Sequence, residues 1–276
     1  MNYISTNHRG GIGNVMFKLA ASISAAWDNN VDYIFSNEFI RPSDIHYIPG
    51  SLGRPATQGY VDYRVYYSNI LRNVQFIDKL PTPYTTHTEP SFSYSPIPYT
   101  PGTSLLLDGQ FQSEKYFEKH KDKIVDLFKV TDEIEAQIRE FIPNVSDLAF
   151  LHVRRGDYTQ FPDHHPLTTR EFYEQAIKEI GEDRTYLVFS DDLEESKKLL
   201  DFIPNKHFYT SGVDWMDFYI MSLCGDSIIA NSSFSWWAAY LNANPNKKVV
   251  APATWFGPVY AHLNTEDLIP NNWIKI

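Results

Sequence analysis

Two arginines, a glycine and an aspartate close the stretch Leu148-Ala-Phe-Leu-His-Val-Arg-Arg-Gly-Asp-Tyr158. A guanidinium presents planar, paired donors that can hold two oxygens of one phosphate at once. Two of them at the end of a buried strand are costly unless something anionic meets them. The carboxyl ends of strands are also where open α/β sheets bind ligands. Arg154 and Arg155 are therefore candidate phosphate ligands. Gly156 permits a tight turn, and Asp157 can hold one guanidinium so that the other stays free. A plainer reading uses the same residues: Arg154 and Asp157 satisfy each other as an ion-paired strand end.

Three further groupings could act with them. Phe189-Ser-Asp-Asp-Leu193 puts Ser190, Asp191 and Asp192 where a strand ends and a helix begins. One aspartate there can cap the helix, and the other can accept hydrogen bonds from a guanine edge or a ribose. Paired aspartates can also hold Mg²⁺ or Mn²⁺, a role ranked lower because the arginines already supply positive charge for a diphosphate. In Ile229-Ala-Asn-Ser-Ser-Phe-Ser-Trp-Trp-Ala-Ala-Tyr240, Asn231, Ser232 and Ser233 stand at a helix start, where backbone amides point at anions. The alternative is that Asn231 and Ser232 only cap, while Phe234, Trp236 and Trp237 fill a core. The loop from Tyr158 to Leu167 adds Asp163, His164 and His165, so that Asp157, Asp163 and His165 are candidate proton acceptors by position.

The elements that must position these groups alternate. Strands are expected at 148–154, 185–190, 206–209, 227–230 and 248–251, with helices from Thr168 or Thr169 to Ile180 and over 193–202, 213–223 and 232–241. That alternation predicts a parallel, doubly wound sheet. The first half opens with a strand at Met1–Thr6, a glycine-rich turn at Asn7–Asn14 and a helix from Val15 to Trp27. Gly11 and Gly13 fit the first two positions of a dinucleotide fingerprint, but Met16 stands where the third glycine belongs. A close strand-to-helix turn and a ligand loop both fit. Strands are expected at Asp32–Ser36, Val74–Ile77 and Ser104–Asp108, and an edge strand over Tyr60–Tyr67. The prolines between Pro81 and Pro101 exclude regular structure there, leaving either a sugar-stacking aromatic surface or a plain surface excursion. Amphipathic helices follow at Glu114–Phe128 and Asp132–Phe141. Pro143–Ser146 is the expected junction between domains at 1–144 and 145–276.

Composition sets the outer limits. A chain of 276 residues with 43% hydrophobic and 21% charged content can bury a sizeable core in two domains. A net charge of −10 argues against a nucleic-acid binder. Cys224 is the single cysteine, so no intrachain disulfide forms, and no Cys/His spacing suggests zinc. No signal peptide or run of about 18 apolar residues is seen, so no membrane span is expected and the sequons at Asn144 and Asn231 should be idle.

His152-Val-Arg-Arg-Gly-Asp157 resembles the HxRRxD motif of fucosyltransferases that use GDP-fucose, above all the α-1,2 enzymes of glycosyltransferase family 11. Gly10-Gly-Ile-Gly-Asn-Val-Met-Phe17 resembles that family's GGxGNxxF opening, with Val15 in place of the commoner glutamine. Gly109-Gln-Phe-Gln112 is similar to its GY(F/W)Q element, and Ser190-Asp-Asp192 to the strand-end (S/T)DD of GDP-fucose enzymes. The string from Asn231 resembles NSSFSWWAAWL, departing at Tyr240, and Pro252-Ala-Thr-Trp-Phe256 resembles the P..WF segment that follows. No family motif covers 29–103.

The resemblance implies a GT-B-like α/β fold, two Rossmann-like domains facing across a cleft, with the donor mainly on the carboxyl-terminal domain. It implies inverting transfer of L-fucose from GDP-β-L-fucose to a sugar hydroxyl, galactose O2 of a glycan acceptor. With no signal peptide or span seen, a soluble cytoplasmic enzyme is expected, and with Arg154 and Arg155 meeting the diphosphate, no metal or other cofactor is expected. Arg154 would then face the β-phosphate with Arg155 supporting it, and Ser232, Ser233 and Phe234 would line the diphosphate. His152 and Asp192 would read the nucleoside, and Gly11, Gly13 and Asn14 would line the acceptor side. Two rivals remain: a nucleotide-sugar-binding protein without catalysis, and a metal-dependent phosphate-ester hydrolase.

Overall fold

In the computed structural model, which describes residues 2–39 and 66–276, the chain divides into two α/β units. One takes in residues 2–39, 66–129 and Leu263–Pro270; the other takes in Val130–His262 and Asn271–Ile276.

The first unit starts as the sequence predicts. Strand β1 (Tyr3–Thr6) feeds helix α1 (Ile12–Asn29), which is buried on nearly every side from Ile12 to Ala26. Asn30, at φ +51°, ends it in the left-handed conformation that asparagine tolerates. The run Asp32–Ser36 serves two sheets. β2 (Asp32–Tyr33) pairs with β1, and β3 (Phe35–Ser36) pairs with β4 (Phe76–Ile77). β5 (Thr85–Thr88) and β6 (Leu105–Asp108) complete a parallel sheet in the order β2-β1-β6-β5.

β5 corrects the expectation that Pro81–Pro101 holds no regular structure. It is an exposed, polar edge strand between Pro83 and Pro90, so no apolar alternation announces it. Glu114–Phe128 is likewise not one helix. Two 3₁₀ turns precede α2 (Lys121–Phe128), because Tyr116 and Phe117 are both buried and adjacent residues cannot share one face of an α-helix. The edge strand expected over Tyr60–Tyr67 lies outside the described residues up to position 65; Tyr66 and Tyr67 form part of a turn.

The second unit begins at Val130 rather than at 145, because α3 (Asp132–Phe141) packs on a helix of this unit, α6 below. Its strands are β7 (Ala149–Val153), β8 (Tyr186–Ser190), β9 (Lys206–Phe208), β10 (Asp226–Ile228), β11 (Val249–Ala251) and β12 (Ile274–Lys275). They form one parallel sheet in the order β12-β11-β10-β7-β8-β9. The helices between them are α4 (Arg170–Ile180), α5 (Leu193–Leu199), α6 (Asp214–Leu223) and α7 (Ser233–Leu241). The chain winds outward from β7 to β9, then returns to β10 on the other side of β7 and winds the opposite way. β7 and β10 thus flank the switch point of a doubly wound sheet.

Side-chain alternation along β7 assigns its faces. Ala149, Leu151 and Val153 join Tyr173, Ala176, Ile177 and Ile180, the i, i+3, i+4, i+7 stripe of α4, in one core. His152 points to the opposite face, where its ring meets Phe234 of α7. α7 is buried on all sides from Ser235 to Leu241, which its apolar composition demands. Trp236 stacks on Tyr240 at 4.8 Å and contacts Trp237 and Trp273 at 5.2 and 5.3 Å. Replacing Trp236 by Ala should cost about 3–5 kcal/mol, the range for truncating a large core aromatic. Urea unfolding is the measurement, and a loss under about 1 kcal/mol would contradict this packing.

Candidate active site

The carboxyl ends of β10, β7 and β8 are neighbours, and the sequence-predicted residues of the second unit sit there. The β7–β8 register pairs His152 with Phe189 and Val153 with Ser190, so the next residues, Arg154 and Asp191, leave the sheet side by side. One Arg154 nitrogen meets Asp191 Oδ2 at 2.5 Å, and the other donates to Asp157 Oδ1 at 2.5 Å. Burial works against the Arg154 charge, but Asp191 and then Asp157 overcome it and hold the guanidinium above its ordinary pKa. Burial also raises the Asp191 carboxyl, with Arg154 and the Arg155 amide acting the other way. The expected ion-paired strand end is therefore present, with a second carboxylate added.

Arg155 behaves differently from the expected phosphate partner. Its side chain is 7% exposed and donates to the Thr168 carbonyl at 2.8 Å, while its backbone amide donates to Asp191 Oδ1 at 2.7 Å. Thr168 Oγ1 shares a hydrogen bond with the Tyr173 hydroxyl, which donates to the His152 carbonyl at 3.0 Å. Arg155 thus ties the end of β7 to the start of α4, which Thr169 caps. Asp192 takes the capping role on α5, accepting from the Glu195 amide at 3.1 Å. Ser190 and Ser196 hydroxyls close the same turn on the Asp192 carbonyl.

Around the switch point, Asn231 is a clamp and not a cap. It is almost fully buried and donates to the carbonyls of Pro166 and Trp255 at 2.9 and 3.1 Å. Ser232 occupies the N-cap position of α7, but its hydroxyl makes no capping bond. Ser233 is the first residue of that helix, and Phe234 rests on Phe218 at 5.3 Å. His152 Nδ1 is buried and has no hydrogen-bond partner among the described residues. Burial, followed by the Arg154 charge, pushes its pKa down to about 3, so the ring is neutral.

Tyr158 was not read from the sequence as a site residue, yet it joins these parts. Its hydroxyl donates to the Asn231 carbonyl at 3.0 Å, and its ring lies 5.2 Å from the Arg154 guanidinium and 4.5 Å from His165. Of the proton-acceptor candidates, Asp157 is engaged by Arg154, and Asp163 serves through its carbonyl, which accepts from the Val259 amide. His165 is stacked, and burial lowers its pKa, favouring the neutral, proton-accepting ring.

Gly11, Gly13 and Asn14 belong to the first unit. Gly10, at φ +112°, makes the turn that only glycine enters without strain, and Gly11 is the N-cap of α1. Lys18, the one charged residue in the buried part of this helix, donates to the carbonyls of Asn7 and Arg9 and so holds the loop down. Asn14 Oδ1 accepts from Gln112 Nε2 at 3.0 Å. Asn7, Arg9, Gly10, Asn14, Lys18 and Asp108 are among the residues lining a polar pocket of about 340 Å³ within this unit.

The family model of glycosyl transferase family 11 matches residues 58–276. The chain belongs to this family. Two family relatives from Escherichia coli are an O-antigen biosynthesis glycosyltransferase, WbnK, and an alpha-1,2-colitosyltransferase. The first is 31% identical over 181 residues, 60% of this chain and 59% of the relative; the second is 32% identical over 184 residues, 63% of each. The matched stretch thus spans about three fifths of the length of these relatives. Among solved structures, a NodZ alpha-1,6-fucosyltransferase co-crystallised with GDP shares the fold at a TM-score of 0.50, with 13% identity, over 87% of this chain and 92% of that one. This family 11 chain has a GT-B-like fold of two Rossmann-like α/β units. No helix among the described residues is long and apolar enough to cross a membrane.

Two buried histidines, one in each unit, give the protein's stability a pH signature. His152 is held near pKa 3 and His8 near 4, both mainly by burial, against an unfolded value near 6.5. Below pH 6.5 the unfolded chain takes up protons that the folded chain does not, so stability falls as pH drops. His152→Asn should remove one proton's share of that slope, about 1.4 kcal/mol per pH unit between pH 6 and 4. Urea titrations across that range measure it, and an unchanged slope would mean that His152 is not held neutral.

Proposed function

We propose that the chain is an inverting, metal-independent glycosyltransferase that moves L-fucose from GDP-β-L-fucose to galactose O2 of a glycan acceptor. The observation that carries this reading is the Arg154 fork at the switch point, held between Asp157 and Asp191 and flanked by the α7 start with Ser232 and Ser233. Departure of GDP develops charge on the β-phosphate, and fixed positive groups aimed there are the largest catalytic term available. The solved GDP complex of a protein with this fold supports a GDP-type donor.

Asp157 is half exposed and Asp191 is largely enclosed, at 53% and 9% exposure, so the two halves of the fork are unequal. In this reading the β-phosphate competes with Asp157 for Arg154, while Asp191 keeps the guanidinium in register. The carboxylate released, or the neutral His165 imidazole, then takes the acceptor proton. His152, with its unpartnered Nδ1 beside Phe234, reads the nucleoside. Asp192 contributes with whatever its cap leaves open, and Asn231 and Arg155 hold the frame. The loop of Gly11, Gly13 and Asn14 takes the acceptor.

The colitosyltransferase relative favours a second reading, in which the sugar is colitose rather than fucose and the chemistry is otherwise the same. A hydrolase needs carboxylates free for a cation, whereas Asp191 is tied to Arg154 and Asp192 to α5. A binding protein without catalysis would bind the donor but show no turnover.

Arg154→Ala should lower transfer by about a hundredfold or more, about 3 kcal/mol, without unfolding the protein. Arg155→Ala should instead lower the melting temperature, because it breaks a buried tie and leaves a carbonyl unpaired. Turnover of labelled GDP-fucose with a galactose-terminated acceptor, together with thermal melts, checks both; near-normal activity in a folded Arg154→Ala protein would sink the assignment.

Transfer should also persist in excess EDTA, because the guanidinium already meets the charge that a cation would neutralise. Activity lost on chelation and restored by one divalent metal would overturn the arginine mechanism.

A further inference from the structure

The proline-rich segment 81–101 and the Gly109-Gln-Phe-Gln112 turn meet through one side chain. Glu89, just past the end of β5, is partly buried against the turn that follows β6. Its Oε2 accepts from the Gln110 amide at 2.7 Å, and both of its oxygens accept from the Phe111 amide at 3.0 and 3.1 Å. The Tyr116 hydroxyl donates to Oε1 at 3.2 Å and itself accepts from the Ser95 amide at 3.2 Å.

The turn that Glu89 holds is an unusual one. Phe111 sits at φ +51°, a conformation that a bulky side chain enters only when its surroundings impose it. Gly109 lies so close that a Cβ there would meet the Glu89 Cβ at 2.4 Å. The fit is mutual: the glycine admits the carboxylate, and the carboxylate pulls two amides into a turn that would otherwise relax. That turn delivers Gln112 to Asn14 and forms one wall of the polar pocket, through Gly109 and Gln110.

Resting on the reading above that the glycine loop takes the acceptor, we propose that Glu89 is a positioning residue that shapes the first unit's pocket for one hydroxylated sugar ring of the acceptor. The lining suits that ligand. Asn7, Asn14, Gln110 and Asp108 offer the amide and carboxylate groups that pair with sugar hydroxyls as donors and acceptors. Glu89 acts through the turn, and Asn14 and Gln112 meet across it. Burial raises the Glu89 carboxyl, while the Gln110 and Phe111 amides favour its charged form.

The test uses two variants that disturb the same contact from opposite sides, Glu89→Gln and Gly109→Ala, on the full chain. Both should raise the KM for lactose about tenfold. The KM for GDP-fucose and its slow hydrolysis without acceptor should stay within twofold. Glu89→Gln should melt near the parent, whereas Gly109→Ala, whose Cβ meets the Glu89 Cβ at 2.4 Å, should melt lower but remain folded. An unchanged lactose KM in both variants, or equal losses for donor and acceptor, would overturn the proposal.

Saturation-transfer NMR with lactose reads the pocket without turnover and so separates the two layers of the argument. A parent protein that binds lactose but transfers nothing refutes the transferase reading alone, and Glu89→Gln should then still lose the lactose signal. A parent that binds no galactoside, or a folded Glu89→Gln protein that keeps the full signal, refutes the role of Glu89.

Discussion

The ion pair between Arg154 and Asp191 is the constraint on which the second unit's site depends. It joins the ends of two adjacent parallel strands at the switch point, where the sheet's own geometry opens a place for a ligand. A guanidinium so placed needs anionic company, and Asp191 cannot be a full answer because burial already resists its charge. Asp157 completes the neutralisation from the exposed side. Arg154 thus has one partner that is largely enclosed and one that is half exposed.

The surrounding contacts serve that arrangement. Arg155, Thr168, Tyr173 and the His152 carbonyl form a buried chain beneath the strand end. Tyr158 and Asn231 tie β7's loop to the end of β10. Two neighbouring arginines of identical chemistry thus acquire different work, one facing outward and one inward.

Most of the second unit was legible in the sequence because its central strands are apolar runs and its helices start at caps such as Thr169 and Asp192. β12, a two-residue strand beyond the one expected to be last, carries no apolar run to announce it. The motif residues at three strand ends were likewise readable, although which of Asp191 and Asp192 would cap was not. Side-chain partnership depends on register, and register is a tertiary property. The first unit was harder for definite reasons. β5 is polar and exposed, Asp32–Ser36 changes partners midway, and Glu114–Phe128 reads as one amphipathic helix although two 3₁₀ turns open it. Glu89 gave no signal of its own, since a glutamate beside a proline in a loop looks solvated.

The burial of Asn231 has a consequence for how the chain can be made. Asn231-Ser232-Ser233 is an acceptor sequon for N-linked glycosylation, and so is Asn144-Val145-Ser146. Asn144 is exposed and would tolerate an oligosaccharide, but the Asn231 amide nitrogen is the atom that holds Pro166 and Trp255 together. An oligosaccharyltransferase meets the chain while it is still extended, before that nitrogen has found its carbonyls. In a secretory host the modification would therefore compete with closure of the sheet, and each chain modified at Asn231 would be barred from the native state.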